Sequence, residues 1–153
     1  KLLLKYAPQT SSRQAPFERN LPELKSLKDT DPSILLVDDM HDHLDTIAGI
    51  LTDVNEKIQI QKVDNAIDAM RAMVEHNYDL VITDIRLSEG YSDNQDGREI
   101  AIAAKKSNPK TKVIILTGYW NMTLFASGLP FDAIFAKADI HEFLKYIEEF
   151  LAK

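Results

Sequence analysis

Cysteine is absent from this chain of 153 residues, and glycine and proline are scarce, at five and six residues. The lack of cysteine excludes disulfides, thiolate metal sites and a cysteine nucleophile. Long apolar runs are missing as well, because stretches such as residues 2–4 and 113–116 are far shorter than a membrane span. We therefore expect a soluble, cytoplasmic protein with no membrane partner.

Positive charge is also in deficit. Lys and Arg number 18 against 24 Asp and Glu, which gives a net charge of -6. Nonspecific nucleic-acid binding depends on basic side chains that neutralise phosphates, so direct nucleic-acid binding is not expected. What the chain does have is 44% hydrophobic and 27% charged residues. That balance is typical of a folded globular domain.

The first 32 residues differ in character from the rest. They carry four of the six prolines and no sustained hydrophobic periodicity, which predicts a linker or N-terminal arm at 1–32 and a single domain at 33–153. From Ser33 onward, short apolar runs alternate with helical stripes. The predicted strands lie at about 34–37, 57–63, 80–82, 113–116 and 133–136.

Five helices are expected between and after these strands. Their signals are the stripe Leu44, Ile47, Ile50, Leu51 and Val54; the stripe Ala66, Ile67, Met70, Met73 and Val74; a segment from about Gly97 to Ser107; a short helix within 120–127; and a last stripe capped by Asp139. Strands alternating with helices through short connections predict an α/β fold, a doubly wound five-stranded parallel sheet with five helices.

Polar side chains stand at the ends of four predicted strands. Asp38 and Asp39 follow the first strand, Asp84 the third, Thr117 the fourth and Lys137 the fifth. In doubly wound sheets, ligands bind beyond the carboxyl ends of the strands, so these five residues are expected to lie together. Each alone is unremarkable in such a position, but the combination is not.

Three clustered carboxylates repel one another unless a cation compensates their charge. Mg²⁺ meets that need with oxygen ligands, commonly one or two carboxylates together with phosphate oxygens and water. Lys137 can pair with a carboxylate or with a phosphoryl oxygen, and Thr117 can donate its hydroxyl to another oxygen. The combination therefore indicates phosphoryl chemistry with Mg²⁺ as cofactor.

Five segments in this order and spacing carry a family resemblance. They are Ile34-Leu-Leu-Val-Asp38-Asp39, Leu80-Val-Ile-Thr-Asp84, Asp96-Gly97, Val113-Ile-Ile-Leu-Thr117-Gly118 and Ala136-Lys137. Over Ser33 to Lys153 the chain resembles the receiver domain of two-component response regulators. The resemblance implies a flavodoxin-like fold with strand order 2-1-3-4-5.

The resemblance also implies roles for the site residues. Asp84 would be the phosphoacceptor, taking a phosphoryl group from phosphohistidine on a histidine kinase or phosphotransfer protein. Asp38, Asp39, Asp84 and the backbone carbonyl of Arg86 would hold Mg²⁺. No conventional substrate turnover is expected beyond self-catalysed phosphorylation and dephosphorylation. Signalling would follow as Thr117 moves toward the phosphoryl group and the surface near the fifth strand repacks, acting on an output or upstream domain of the same chain.

The chain departs from the family pattern in two regions. After the phosphoacceptor, Ser88 replaces the usual Pro, and residues 89–95 lengthen the loop, as a lid, a partner contact or a plain insertion. Ala138 follows Lys137 where the family commonly has Pro, so the cis peptide bond that is usual there in the family is not expected. Ile134 occupies the position of the aromatic switch residue, with Phe135 beside it.

Three other functions are compatible with parts of this pattern. A pseudo-receiver that acts only as a protein-interaction module stays open because of these departures. A phosphatase of the haloacid dehalogenase type would need an Asp where Arg86 stands, and a flavodoxin would need a Ser/Thr/Gly-rich loop after the first strand. His41 and His43 are expected to face solvent at the start of the first helix rather than to bind metal.

Overall fold

The structure is a computed structural model that describes residues 31–85, 96–118, 128 and 130–152. Its strands are β1 (Ser33–Val37), β2 (Gln59–Val63), β3 (Leu80–Thr83), β4 (Lys112–Thr117) and β5 (Ala133–Ala136). Its helices, in this part of the chain, are α1 (His41–Val54), α2 (Ala66–Glu75), α3 (Asp96–Ser107) and α4 (Ile140–Leu151). Strands and helices alternate, as the sequence predicts.

The five strands form one parallel sheet in the order β2-β1-β3-β4-β5, which confirms the predicted doubly wound fold. The register aligns the carboxyl ends of the central strands, because Val37 pairs with Thr83 and also with Val63. On the other side Thr83 pairs with Ile115. The residues that follow β1 and β3 therefore begin at the same level along the sheet edge.

Side chains of the central strands bury both faces of the sheet. Ile34 and Leu36 belong to a core cluster with residues of α1 and α4, whereas Leu35 and Val37 belong to a cluster with residues of α2 and α3. Alternate residues of a strand point to opposite faces, so a continuous apolar run such as β1 requires helices on both sides. This two-sided core holds the strand ends in place.

The predicted apolar stripe of α2 is partly wrong. Ile67 and Val74 are exposed to 71% and 83%, whereas the buried residues of this helix are Ala69, Ala72 and Met73. Ile67 and Val74 are seven residues apart and share one side of the helix, roughly opposite the two alanines. Because alanine side chains are small, this face of the helix can pack closely against the sheet and α3. The buried face is therefore the one that packs most closely, not the one with the larger apolar side chains.

Other predicted boundaries shift slightly or fall elsewhere. The second strand begins at Gln59 rather than Lys57, and it is an edge strand of the sheet. Asp139 precedes α4, but its side chain makes no capping hydrogen bond, contrary to expectation. The predicted short helix at 120–127 lies outside the described residues. Among the helices described, none has the length and apolar character needed to cross a membrane.

Candidate functional site

Two buried carboxylates lie side by side at the carboxyl edge of the sheet. Asp38 directly follows β1 and Asp84 directly follows β3, with exposed fractions of 6% and 3%. The Asp38 N–H donates to the Val63 carbonyl, and the Asp84 N–H donates to the Val37 carbonyl, each at 3.2 Å. The sheet's own hydrogen bonds therefore extend one residue further and fix both acidic residues next to each other.

Lys137 forms an ion pair with both acids from the end of β5. Its Nζ lies 2.7 Å from Asp38 Oδ2 and 2.8 Å from Asp84 Oδ2. The Lys137 N–H donates to the Thr117 carbonyl at 2.9 Å, which extends the β4–β5 pairing and holds the lysine backbone at the sheet edge. Buried carboxylates are costly without a partner, so one ammonium group shared by two acids is the electrostatic centre of this site.

The two acids shape the protonation of the lysine. Burial alone would lower the pKa of Lys137, but hydrogen bonds and charge attraction from Asp38 and Asp84 outweigh burial and raise that pKa above its ordinary value. The side chain is therefore an ammonium ion at neutral pH. It can stabilise a dianionic group on either carboxylate.

The second oxygen of each carboxylate is held by backbone. Asp38 Oδ1 accepts the Met40 N–H at 2.9 Å, and Asp84 Oδ1 accepts the Ile85 N–H at 2.6 Å. In addition, the Thr83 hydroxyl donates to the Asp84 carbonyl at 2.8 Å. These contacts fix the orientation of both carboxylate planes before any ligand arrives.

His43 is a member of this site that the sequence prediction missed. His43 Nδ1 lies 2.8 Å from Lys137 Nζ and 3.5 Å from Asp38 Oδ2. Side chains in the first turn of a helix lean back toward its N-terminus. The position of His43 in the first turn of α1, just after β1, was the signal that could have found it. His41, by contrast, is exposed as predicted.

Of the remaining predicted residues, the structure describes Thr117 and Asp39 but not Arg86. Thr117 ends β4 at the same edge and is fully buried. Asp39 follows Asp38 and is half-buried. Arg86, whose carbonyl was predicted as a metal ligand, and the long loop that contains Ser88 lie outside the described residues.

Gly97 provides a close contact that explains the Asp-Gly pair at the start of α3. A Cβ atom built on Gly97 would collide with the Asp84 carbonyl oxygen and would lie 2.5 Å from Ile85 Cα. The Gly97 N–H donates to the Ile85 carbonyl at 3.0 Å. The helix therefore begins directly against the backbone of Asp84, and only glycine leaves enough room.

Ile134, at the predicted switch position, and its neighbour Phe135 face opposite sides of the sheet. Ile134 packs beside Ile85 and Ile115. Phe135 packs edge-on against Phe143 and Tyr146 of α4, with ring centroids 6.0 and 5.7 Å apart. Phe135 therefore does not replace the aromatic residue that the family places at position 134. No cis peptide bond occurs in the described residues, which include the bond after Lys137.

The carboxylate oxygens of Asp38 and Asp84 are suitable ligands for a hard divalent cation. Asp38 and Asp84 offer buried carboxylate oxygens that already face one positive charge, the ammonium of Lys137. Within the described part of the chain, no three acidic or histidine side chains lie close enough to hold a metal ion by themselves. Mg²⁺ commonly needs only one or two carboxylates with waters and phosphate oxygens, so these two acids fit it.

A groove of about 580 Å³ lies away from these carboxylates, between α1, β2 and α2. Its lining includes charged side chains that pair with each other, such as His41 with Asp64 and Lys62 with Asp45. The buried Asp38–Lys137–Asp84 group is not part of its lining. We therefore identify the candidate site by its chemistry rather than by the size of a cavity.

The fold and the site together are those of a doubly wound α/β domain with an acidic pair and a lysine at the carboxyl edge of its sheet. The family model described as "Response regulator receiver domain" matches residues 34–145. This chain belongs to the response regulator receiver domain family. The comparison with curated proteins found no match.

Solved structures of receiver domains are similar to this chain. A CheY-like response regulator receiver domain protein from Methanospirillum hungatei is 25% identical, with a TM-score of 0.60, over 78% of this chain and 98% of that one. The response regulator TrrA from Thermotoga maritima, solved in complex with Mg²⁺ and BeF, is 26% identical, with a TM-score of 0.62, over 76% and 98%. NtrX from Brucella abortus is 26% identical, with a TM-score of 0.64, over 78% of this chain and 26% of that longer one.

Proposed function

We propose that this receiver domain is a phosphoacceptor, and that Asp84 takes a phosphoryl group from phosphohistidine on a histidine kinase or phosphotransfer protein. The observation that carries the proposal is the Lys137 ammonium ion, which Asp38 and Asp84 share at 2.7 and 2.8 Å. A positive charge held beside a buried carboxylate is the arrangement that phosphoryl transfer to that carboxylate requires. Asp84 directly follows β3, the central strand of the sheet, and its other oxygen accepts the Ile85 N–H.

In the proposed reaction, an oxygen of Asp84 forms a bond to phosphorus. The P–N bond of the donor phosphohistidine breaks, and its electron pair returns to the donor imidazole. Lys137 then pairs with an oxygen of the bound phosphoryl group, and the Thr117 hydroxyl donates to another. Water later attacks the phosphorus and releases inorganic phosphate, which restores the Asp84 carboxylate and ends the signal.

Asp38, Asp39, Asp84 and the backbone carbonyl of Arg86 are the proposed Mg²⁺ ligands. The ion would supply positive charge that offsets the negative charge gathered on the phosphoryl oxygens. The buried oxygen donors of Asp38 and Asp84 support this assignment, and so does the Mg²⁺ complex of the 26% identical structure from Thermotoga maritima.

Signal output is proposed to pass through the sheet edge around Thr117 and β5. The domain would span 33–153, with 1–32 as a linker or arm, and it would act on a partner or on another domain of the same chain. The match to about a quarter of the longer NtrX chain supports the idea that such a domain is joined to others. Movement of Thr117 toward the phosphoryl group would start the change.

A pseudo-receiver that signals by protein contact alone is the second candidate function. It is favoured by Ile134, which packs among aliphatic side chains where the family has its aromatic switch residue. In that case the acidic pair and Lys137 would be a structural ion pair, and the protein would take up no phosphate.

One experiment separates the two. The protein is incubated with acetyl phosphate and Mg²⁺, and its intact mass is recorded for wild type, Asp84→Asn and the control Asp42→Asn, which changes an exposed acid in the first turn of α1. We expect one added phosphate on wild type and on Asp42→Asn, none on Asp84→Asn, and loss of labelling when a chelator removes Mg²⁺. An unmodified wild type would support the pseudo-receiver.

A further inference from the structure

The three N–H bonds of the Lys137 ammonium group each have an acceptor within hydrogen-bond distance. Two are carboxylate oxygens, Asp38 Oδ2 at 2.7 Å and Asp84 Oδ2 at 2.8 Å. The third is the Nδ1 atom of His43, at 2.8 Å. An ammonium ion has three donors and no acceptor, so this arrangement uses its full hydrogen-bonding capacity.

The contact assigns the state of the histidine ring. Because Lys137 can only donate, His43 Nδ1 must accept, and the ring must be neutral with its hydrogen on Nε2. The contacts of Lys137 with two carboxylates, at 2.7 and 2.8 Å, are those of the charged lysine that this assignment needs. The ring is 39% exposed and Lys137 18%, so the contact lies at the mouth of the site.

The geometry points to His43 as a positioning residue for phosphorylation, one that holds the Lys137 ammonium ion against Asp38 and Asp84. The inference rests on the proposed phosphoacceptor function. A lysine side chain has four rotatable bonds, and it must be held in place if its charge is to lie ready beside Asp84. His43 supplies the contact that comes from outside the acidic pair, from the first turn of α1.

A neutral partner in this place has a chemical consequence. When a phosphoryl group arrives on Asp84, Lys137 must release one acceptor to bind a phosphoryl oxygen. Giving up the neutral His43 breaks a hydrogen bond but no ion pair, whereas giving up Asp38 would break the 2.7 Å ion pair with that buried carboxylate. His43 therefore holds the resting lysine through a contact that can be released without breaking an ion pair.

The test compares initial rates of phosphorylation by acetyl phosphate in four proteins. His43→Leu removes the acceptor, whereas His43→Asn keeps one, because the Asn Oδ1 is bonded to Cγ as the His Nδ1 is. His41→Leu is the matched control, since His41 lies two residues earlier and pairs with the remote Asp64. Melting temperatures are recorded for all four to detect any general loss of structure.

We expect His43→Leu to be slower by about fivefold, the effect of one ordinary hydrogen bond. His43→Asn and His41→Leu should stay within about twofold of wild type, a span well below that effect. A rate for His43→Leu that equals or exceeds wild type would overturn the inference, and so would failure of His43→Asn to restore the rate. A merely structural role would instead lower the melting temperature of His43→Leu without rescue by Asn.

The imidazole nitrogen shifts give a second readout that needs no phosphorylation. In ¹⁵N NMR of the wild type, His43 should show the neutral form with its hydrogen on Nε2, and the Nδ1 signal should move in Lys137→Met. A hydrogen on Nδ1 would overturn the inference even if the kinetics agreed. If wild type takes up no phosphate, the proposed function fails and the positioning role with it, and the nitrogen shifts then show whether the contact itself exists.

Discussion

At the scale of single residues, the site consists of two buried carboxylates and one ammonium group. Asp38 and Asp84 are buried and share one lysine, so the two acids exceed the available positive charge. The sequence predicted these three residues and their meeting place, because each directly follows a strand. His43 was missed: its place in the first turn of the helix after β1 was a signal, but the orientation of its side chain depends on where that helix begins relative to β1.

His41 offers a prediction for pH dependence. Its Nε2 lies 2.7 Å from Asp64 Oδ2, and this hydrogen bond with its charge attraction raises the pKa of His41 above 6.5. A raised folded pKa means that the pair's contribution to stability is fully present below pH 6.5 and is lost as the pH rises through the folded pKa. The exposed pair should nevertheless contribute little.

Proton NMR titration of the His41 ring checks this prediction. We expect a pKa above 6.5 in wild type and a value closer to 6.5 in Asp64→Asn. The stability difference between the two proteins should shrink from mildly acidic to mildly alkaline buffer. An identical His41 pKa in both proteins would show that the contact with Asp64 does not form in solution.

At the scale of secondary-structure elements, the start of α3 is tied to the phosphoacceptor strand. Gly97 lies against the backbone of Asp84 and Ile85, where a Cβ atom has no room. Helix α3 therefore begins in direct contact with the backbone of Asp84 and Ile85. The sequence contained the Asp96-Gly97 pair, but the reason for the glycine appears only when the strand end and the helix start are seen together.

Replacing Gly97 should be far more costly than replacing another helical glycine. Gly97→Ala forces the helix start away from Asp84, and we expect a loss of about 2 kcal/mol of unfolding free energy from this overpacking. The control is Gly49→Ala in α1, where the new Cβ would meet nothing within 4 Å. Alanine favours helices over glycine, so this variant should gain up to about 1 kcal/mol.

Chemical denaturation of both variants measures these free energies. Opposite signs are the expected result. Equal effects at positions 97 and 49 would contradict the close approach of α3 to the Asp84 backbone.

The buried face of α2 provides a second test at this scale. Met73 is 6% exposed and Val74 is 83% exposed, although the sequence pattern assigned both to the core. Met73→Ala should cost about 2–4 kcal/mol of stability because it leaves a cavity. Val74→Ala should change stability by less than about 0.5 kcal/mol.

Urea denaturation of the two alanine variants decides between the faces. If Val74→Ala were as destabilising as Met73→Ala, the helix would have to be rotated from its position in the structure. The periodicity of α2 predicted that a helix forms here. It could not choose the face, because apolar residues occur on both sides and only the tertiary neighbours distinguish them.

At the scale of the whole molecule, a parallel sheet covered on both faces brings together residues that lie far apart in the chain. Asp38, Asp84 and Lys137 meet because β1, β3 and β5 run parallel and end at one edge. The meeting of these residues was predicted from apolar runs that end in polar residues, and the strand order from the resemblance to receiver domains; the structure confirms the order. The arrangement places the shared lysine and its two acids at the carboxyl edge of the sheet.

The most direct test of the central claim is chemical trapping of the phosphorylated residue. The protein is treated with acetyl phosphate and Mg²⁺, then with sodium borohydride, which reduces an aspartyl phosphate to homoserine. Peptide mass spectrometry locates that change. The account predicts homoserine at position 84 alone, and it would be contradicted by homoserine at position 38 or 39, or by an unmodified peptide containing Asp84.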